Sequence, residues 1–117
     1  MATAADVRRL ALALPEACED LHRGKPAFRV QARIFAMLGE PGGQGFMGLD
    51  QPNLVLLKLD REDQLNMAAA RPDAIRATDD YGRHGWTHVA LDRLDAEALQ
   101  TLLRLAWINV APKRLSR

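Results

Sequence analysis

Residues 27–38 constrain this chain more than any other stretch, because they read as two β-strands folded back on each other. Phe28 and Val30 alternate with Arg29 and Gln31, and Ile34-Phe35-Ala36-Met37-Leu38 is a continuous apolar run of strand length. The spacing predicts a hairpin over 27–38 that turns at Gln31-Ala32. That pair lacks the glycine or asparagine preferred by tight two-residue turns. A hairpin with one apolar side is marginal alone and must be covered by other elements.

The cover is legible at both ends of the chain. Thr3 is an N-cap with Asp6 three residues on, and Val7, Leu10, Ala11 and Leu14 recur at helical spacing until Pro15. Near the other end a helix begins around Asp95, places Leu99, Leu103, Ala106 and Val110 on one stripe, and stops at Ala111-Pro112. Between them, residues 46–49 read as a short strand and 53–59 as a buried one. Asp60 caps a helix that ends before Pro72, residues 72–77 add a further turn, and residues 86–91 alternate as a late strand. The predicted architecture is α+β: a single-domain two-layer sandwich over 1–117, with a mainly antiparallel sheet and helices on one face.

A length of 117 residues suffices to bury a core without disulfides or metals, and the apolar share of 48% is that of a globular domain. The single cysteine, Cys18, excludes an intrachain disulfide and suits a reducing compartment. No apolar run approaches the ~20 residues that span a membrane. The first residues also lack a basic stretch ahead of an apolar one, so a cytoplasmic location without membrane contact is expected.

Net charge is only +1, yet it is unevenly distributed. Residues 22–33 carry four bases and no acid, residues 59–80 carry three bases against six acids, and residues 100–117 carry four bases and no acid. The two basic segments either form one face or intermix with acids in space.

At this point a family resemblance becomes visible. The chain resembles the MmcQ/YjbR family of small bacterial proteins along nearly its whole length. The resemblance is carried by Leu12-Ala13-Leu14-Pro15-Glu16, Phe28-Arg29-Val30 with Ile34-Phe35-Ala36, and Leu57-Lys58-Leu59-Asp60. It continues through Tyr81-Gly82, Gly85-Trp86-Thr87, Ala106-Trp107 and Val110-Ala111-Pro112-Lys113-Arg114-Leu115. It implies a CyaY-like fold and the DNA-binding role with which the family is labelled, through a fold similar to a double-wing motif. It supplies no catalytic residues. Members often place glycine before a Lys or Arg at the hairpin turn, whereas here Gln31-Ala32 precede Arg33.

The candidate phosphate contacts are Arg23, Lys25, Arg29 and Arg33 of the hairpin region, Lys58 at the end of the buried strand, and Lys113 and Arg114 of the tail. Plain explanations stand beside them. Charged sheet edges also prevent aggregation, and cations after a helix end favour the helix dipole. His84 and His88 are four apart, but on a strand that spacing covers roughly 13 Å, too far for one metal ion. Carboxylates around Cys18 oppose thiolate formation, and residues 42–45 lack the Lys-Ser/Thr of a phosphate-cradling loop. The expectation is therefore a non-enzymatic module without cofactor or metal that binds DNA by its phosphates. The alternative is an adaptor for an unidentified protein or small ligand.

Overall fold

The computed structural model describes residues 1–40, 48–49, 51–79 and 81–116. Among them six strands form one antiparallel sheet. The strands are β1 (Cys18–His22), β2 (Lys25–Val30), β3 (Arg33–Leu38), β4 (Leu54–Lys58), β5 (Ile75–Ala77) and β6 (Trp86–Ala90), in the spatial order β1-β2-β3-β4-β6-β5. The described helices are α1 (Ala4–Leu12), α2 (Arg61–Ala70), α3 (Ala96–Val110) and the short α4 (Lys113–Ser116).

The helices share one side of the sheet. Val7 and Ala11 of α1 and Leu99, Leu103, Ala106 and Trp107 of α3 pack with Phe28, Val30, Val55, Leu57 and Val89 in the main core, and Met67 and Ala68 of α2 lie against it. Side-chain alternation along the strands produces this segregation. The expected α+β two-layer arrangement is the one observed.

Local signals explain the helix ends. Thr3 and Asp6 form a reciprocal capping box, and the Arg9 guanidinium, then the Thr3 backbone N–H, hold the Asp6 carboxyl below its usual pKa. Asp60 caps α2 by accepting from the Glu62 N–H, and Asp95 caps α3 by accepting from the Ala98 N–H.

The hairpin turns where expected, at Gln31-Ala32, with φ of 52° and 67°. Positive φ at both central residues is the combination of a type I′ turn, adopted here without glycine. In the register, Phe28 faces Ala36 while Arg29 faces Ile34, so Phe35 is an extra residue on β3. This bulge lets adjacent Phe35 and Ala36 both enter the helix-side core.

Three expectations need correction or restriction. Strand β1 was not foreseen: Cys18-Glu19-Asp20-Leu21-His22 is polar because it is an edge strand, and Arg23-Gly24 joins it to β2 at φ of 53° and 80°. Residues 75–77 form β5 rather than a further helical turn, since Ile75 packs in the core opposite Val89. The strand expected over 46–49 falls partly outside the described residues, and Gly48 and Leu49 belong to no strand.

The second face of the sheet carries a smaller apolar cluster. Ala27, Met37 and Leu56 are buried together with Leu49, and Ile34, Leu54 and Trp86 pack at its margin. The same register aligns Asp20 beside Ala27, Lys58 beside Trp86, and His88 between Leu56 and Arg76. Polar and basic groups thus surround an apolar centre on the side away from the helices.

Candidate nucleic-acid interface

Antiparallel pairing decides which residues share an end of the sheet. Val30 pairs with Arg33, Ala36 with Leu57, and Lys58 with Trp86, so the Gln31-Ala32 turn, the end of β4 and the start of β6 lie at one end. Helix α3 delivers the carboxyl-terminal residues to the same end. Asn109 Nδ2 donates to the Lys58 carbonyl at 3.1 Å, and the buried Trp107 Nε1 donates to the Pro15 carbonyl at 3.0 Å.

Glu16, the residue after Pro15, joins these pieces. Its Oε1 accepts from Gln31 Nε2 at 2.5 Å, and its two oxygens face the Arg114 guanidinium at 3.2 and 3.5 Å. The hairpin turn and the basic tail therefore meet at one carboxylate. This contact brings the two basic segments near each other with an acid between them: at Glu16 and Asp20 the bases intermix with carboxylates.

Beside them lies Lys58, its ammonium 5.0 Å from the centroid of the Trp86 ring. Partial burial, and then the charge of Arg33, hold the Lys58 pKa below the ordinary lysine value. The Trp86 ring face attracts that cation, which steadies it over the sheet. Arg33 itself is exposed and forms no ion pair with any described residue. Among the described residues Lys58 likewise forms no ion pair with a carboxylate.

The support under Trp86 is buried and fully bonded. Gln64, fully buried in α2, donates to the Trp86 carbonyl at 3.1 Å and to Thr87 Oγ1 at 2.9 Å. Thr87 Oγ1 donates to the Gly85 carbonyl at 2.9 Å, and Arg61 donates to Gln64 Oε1 at 2.5 Å. Gly85 has φ of 97° and lies so close to β4 that a Cβ would collide with the Leu59 carbonyl oxygen. Those two constraints explain why glycine precedes tryptophan here.

The seven bases singled out in the sequence separate into three groups. Arg33, Lys58 and Arg114 lie at the hairpin end, and Lys113 precedes Arg114 in α4. Arg29 lies on the second face, but both Asp20 oxygens accept from its Nε at 2.9–3.0 Å, and its NH1 donates to the Ala32 carbonyl at 3.0 Å. It stiffens the turn rather than presenting charge. Lys25 is 2% exposed and donates to the Glu40 carbonyl at 2.6 Å, so it cannot meet a phosphate and leaves the set. Arg23 sits in the β1–β2 turn at the opposite end, roughly 17 Å away along a six-residue strand.

Which acids would meet these bases was left open by the charge distribution. Glu16, Glu19 and Asp20 hold Arg114, Arg8 and Arg29 respectively. The signal was present as three carboxylates just ahead of a basic hairpin, but it meant nothing until β1 placed Glu19 on the helix side and Asp20 on the other. Cys18 is exposed on the same edge strand. His84 lies in the turn before β6 and His88 on the second face. Among the described residues no group of three or more His, Cys, Asp or Glu is placed to hold a metal. Nor, among them, is any helix long and apolar enough to cross a membrane.

The YjbR family model matches residues 12–108, from the end of α1 to the last turn of α3. The chain belongs to the YjbR family. The matched span contains Glu16, Gln31, Arg33, Lys58 and Trp86, whereas Lys113 and Arg114 lie beyond it. This YjbR chain is also similar to the crystal structure of Deinococcus radiodurans protein DR2400, described as a DUF419 domain. Identity is 26%, with a TM-score of 0.72 over 94% of this chain and 79% of that one. No curated protein matches the chain.

Proposed function

We propose that this YjbR chain is a non-catalytic module that binds duplex DNA by its phosphates, through Arg33, Lys58 and Lys113 at the hairpin end. The observation that supports the reading is the convergence described above, in which Glu16 ties the Gln31 turn to the Arg114 tail beside the Lys58–Arg33 pair. Duplex DNA presents a charge about every 1.7 Å of axis, so a compact group of cations on a rigid sheet end meets several phosphates at once.

The chemistry at this end favours binding over turnover. Besides the Glu16 carboxylate, its polar groups are guanidinium, ammonium and amide, which donate hydrogen bonds to phosphate oxygens. Clefts of about 170, 350 and 410 Å³ are lined by residues such as Leu54, Asp73, His88, Asp92 and Arg93. The contacts proposed are to phosphates rather than base edges, so the binding is expected to be independent of sequence.

Three phosphate contacts set the expected numbers. The logarithm of affinity falls against log salt with a slope of about −3, at about −0.9 per contact on duplex. Fluorescence anisotropy of a labelled duplex of about 20 base pairs, titrated from about 50 to about 200 mM salt, measures it directly. A slope near zero, or no binding at the lowest salt, removes the reading.

A further inference from the structure

We infer that Glu16 is a built-in competitor for the phosphate site: its carboxylate occupies Arg114 and the Gln31 amide in the free protein, and DNA must displace it to recruit the tail. The inference rests on the reading above, and it concerns how that site is regulated.

The geometry is that of an anion already bound. Oε1 and Oε2 of Glu16 face two nitrogens of the Arg114 guanidinium, as two phosphate oxygens do in a forked contact, while Oε1 also accepts from Gln31 at 2.5 Å. The Glu16 backbone is held at φ of 58°, in the left-handed region, immediately after Pro15, whose carbonyl is anchored by Trp107. The carboxylate is thus presented from a fixed position.

The contact is also easily opened. The side chains of Arg114 and Glu16 are 61% and 42% exposed. Exposed pairs of this kind hold by no more than roughly fivefold in an equilibrium constant. Asp20 holds Arg29 in a similar way, but that guanidinium is only 22% exposed and also grips the Ala32 carbonyl, so it stays in place. Glu16 is therefore the acid whose removal frees a cation. With Glu16 in place the tail contributes little from Arg114; without it the site gains a fourth contact.

The test is a double-mutant cycle on the full chain, read by anisotropy with the same duplex. Glu16→Gln is expected to raise affinity about two- to fivefold and to steepen the salt slope by about 0.9. Arg114→Gln alone is expected to change affinity less than twofold, yet it abolishes the gain when combined with Glu16→Gln. Glu16→Asn, which tolerates positive φ, repeats the measurement in a backbone-compatible side chain if Glu16→Gln lowers the melting temperature.

If wild type binds and Glu16→Gln binds no better, the inference is wrong and the phosphate site survives. A fivefold loss from Arg114→Gln alone also overturns it, because Arg114 would then already be on the DNA. If neither wild type nor Glu16→Gln binds, the proposed function itself fails.

Discussion

Lys25 and Lys58 sit on the same face of one sheet, at opposite ends, and the fold treats them differently. Lys25 is buried with its ammonium on the Glu40 carbonyl, so its charge fastens the chain after β3 to β2. Lys58 is half-buried over Trp86, has its pKa lowered further by the charge of Arg33, and forms no ion pair with a carboxylate among the described residues. Identical side chains a few strands apart thus serve architecture at one end and concentrate charge at the other. Position on a sheet face says little about role; the groups that meet the ammonium decide it.

The largest effect should come from breaking the architectural lysine. Lys25→Ala removes a buried stem and a charged hydrogen bond and is expected to cost about 2–3 kcal/mol in urea unfolding, with affinity of the folded fraction within twofold of wild type. Unchanged stability would mean that Lys25 is not a fastener. Lys58→Met should behave in the opposite manner. Duplex affinity falls about three- to fivefold and the salt slope flattens by about 0.9, while stability stays within about 0.5 kcal/mol because the methionine stem still covers Trp86.

The pH dependence of Lys58 has a definite sign. Its folded pKa lies below the unfolded one, so the folded state carries a penalty that is complete below the folded pKa. That penalty disappears as pH rises through the window up to the unfolded value. Stability therefore climbs with pH there in wild type, and Lys58→Met loses this climb.

The smallest expected effects compare the two turns that flank β2, both with two residues at positive φ. Gly24 at φ 80° suits its turn, and Ala32 at φ 67° does not. Gly24→Ala should destabilise, and Ala32→Gly should stabilise, each by about 0.5–1 kcal/mol, partly offset through the unfolded chain. Thermal melts resolve such changes as shifts of a few degrees. No gain from Ala32→Gly would show that Arg29, by holding the Ala32 carbonyl, has already relieved the strain.

Much of this architecture could be read before any coordinates. Caps at Thr3 and Asp60, a helix start around Asp95, the stripe from Leu99 to Val110, and the alternation over 86–91 were local signals that the fold follows, with β6 ending one residue earlier at Ala90. The elements that escaped, β1 and β5, are the two sheet edges, where exposure removes the apolar pattern and pairing to one neighbour supplies the structure. The same limit applied to the site. Arg33 and Lys58 were recognisable as bases on strands, but their proximity depends on register between β3 and β4. Glu16, Gln31 and Arg114 meet across 98 residues of chain, a separation that no spacing rule encodes.

Because the hairpin end and the Arg23–Lys25 end lie at opposite poles of β2, a residue-resolved map of binding separates them. Backbone and indole amide shifts of the labelled protein, followed as a short duplex is added at low salt, should move at residues 31–34, 58, 86 and 113–115 and stay still at 22–25. Movement centred on 22–25, or none anywhere at saturating duplex, would contradict a phosphate site built where the hairpin meets the tail.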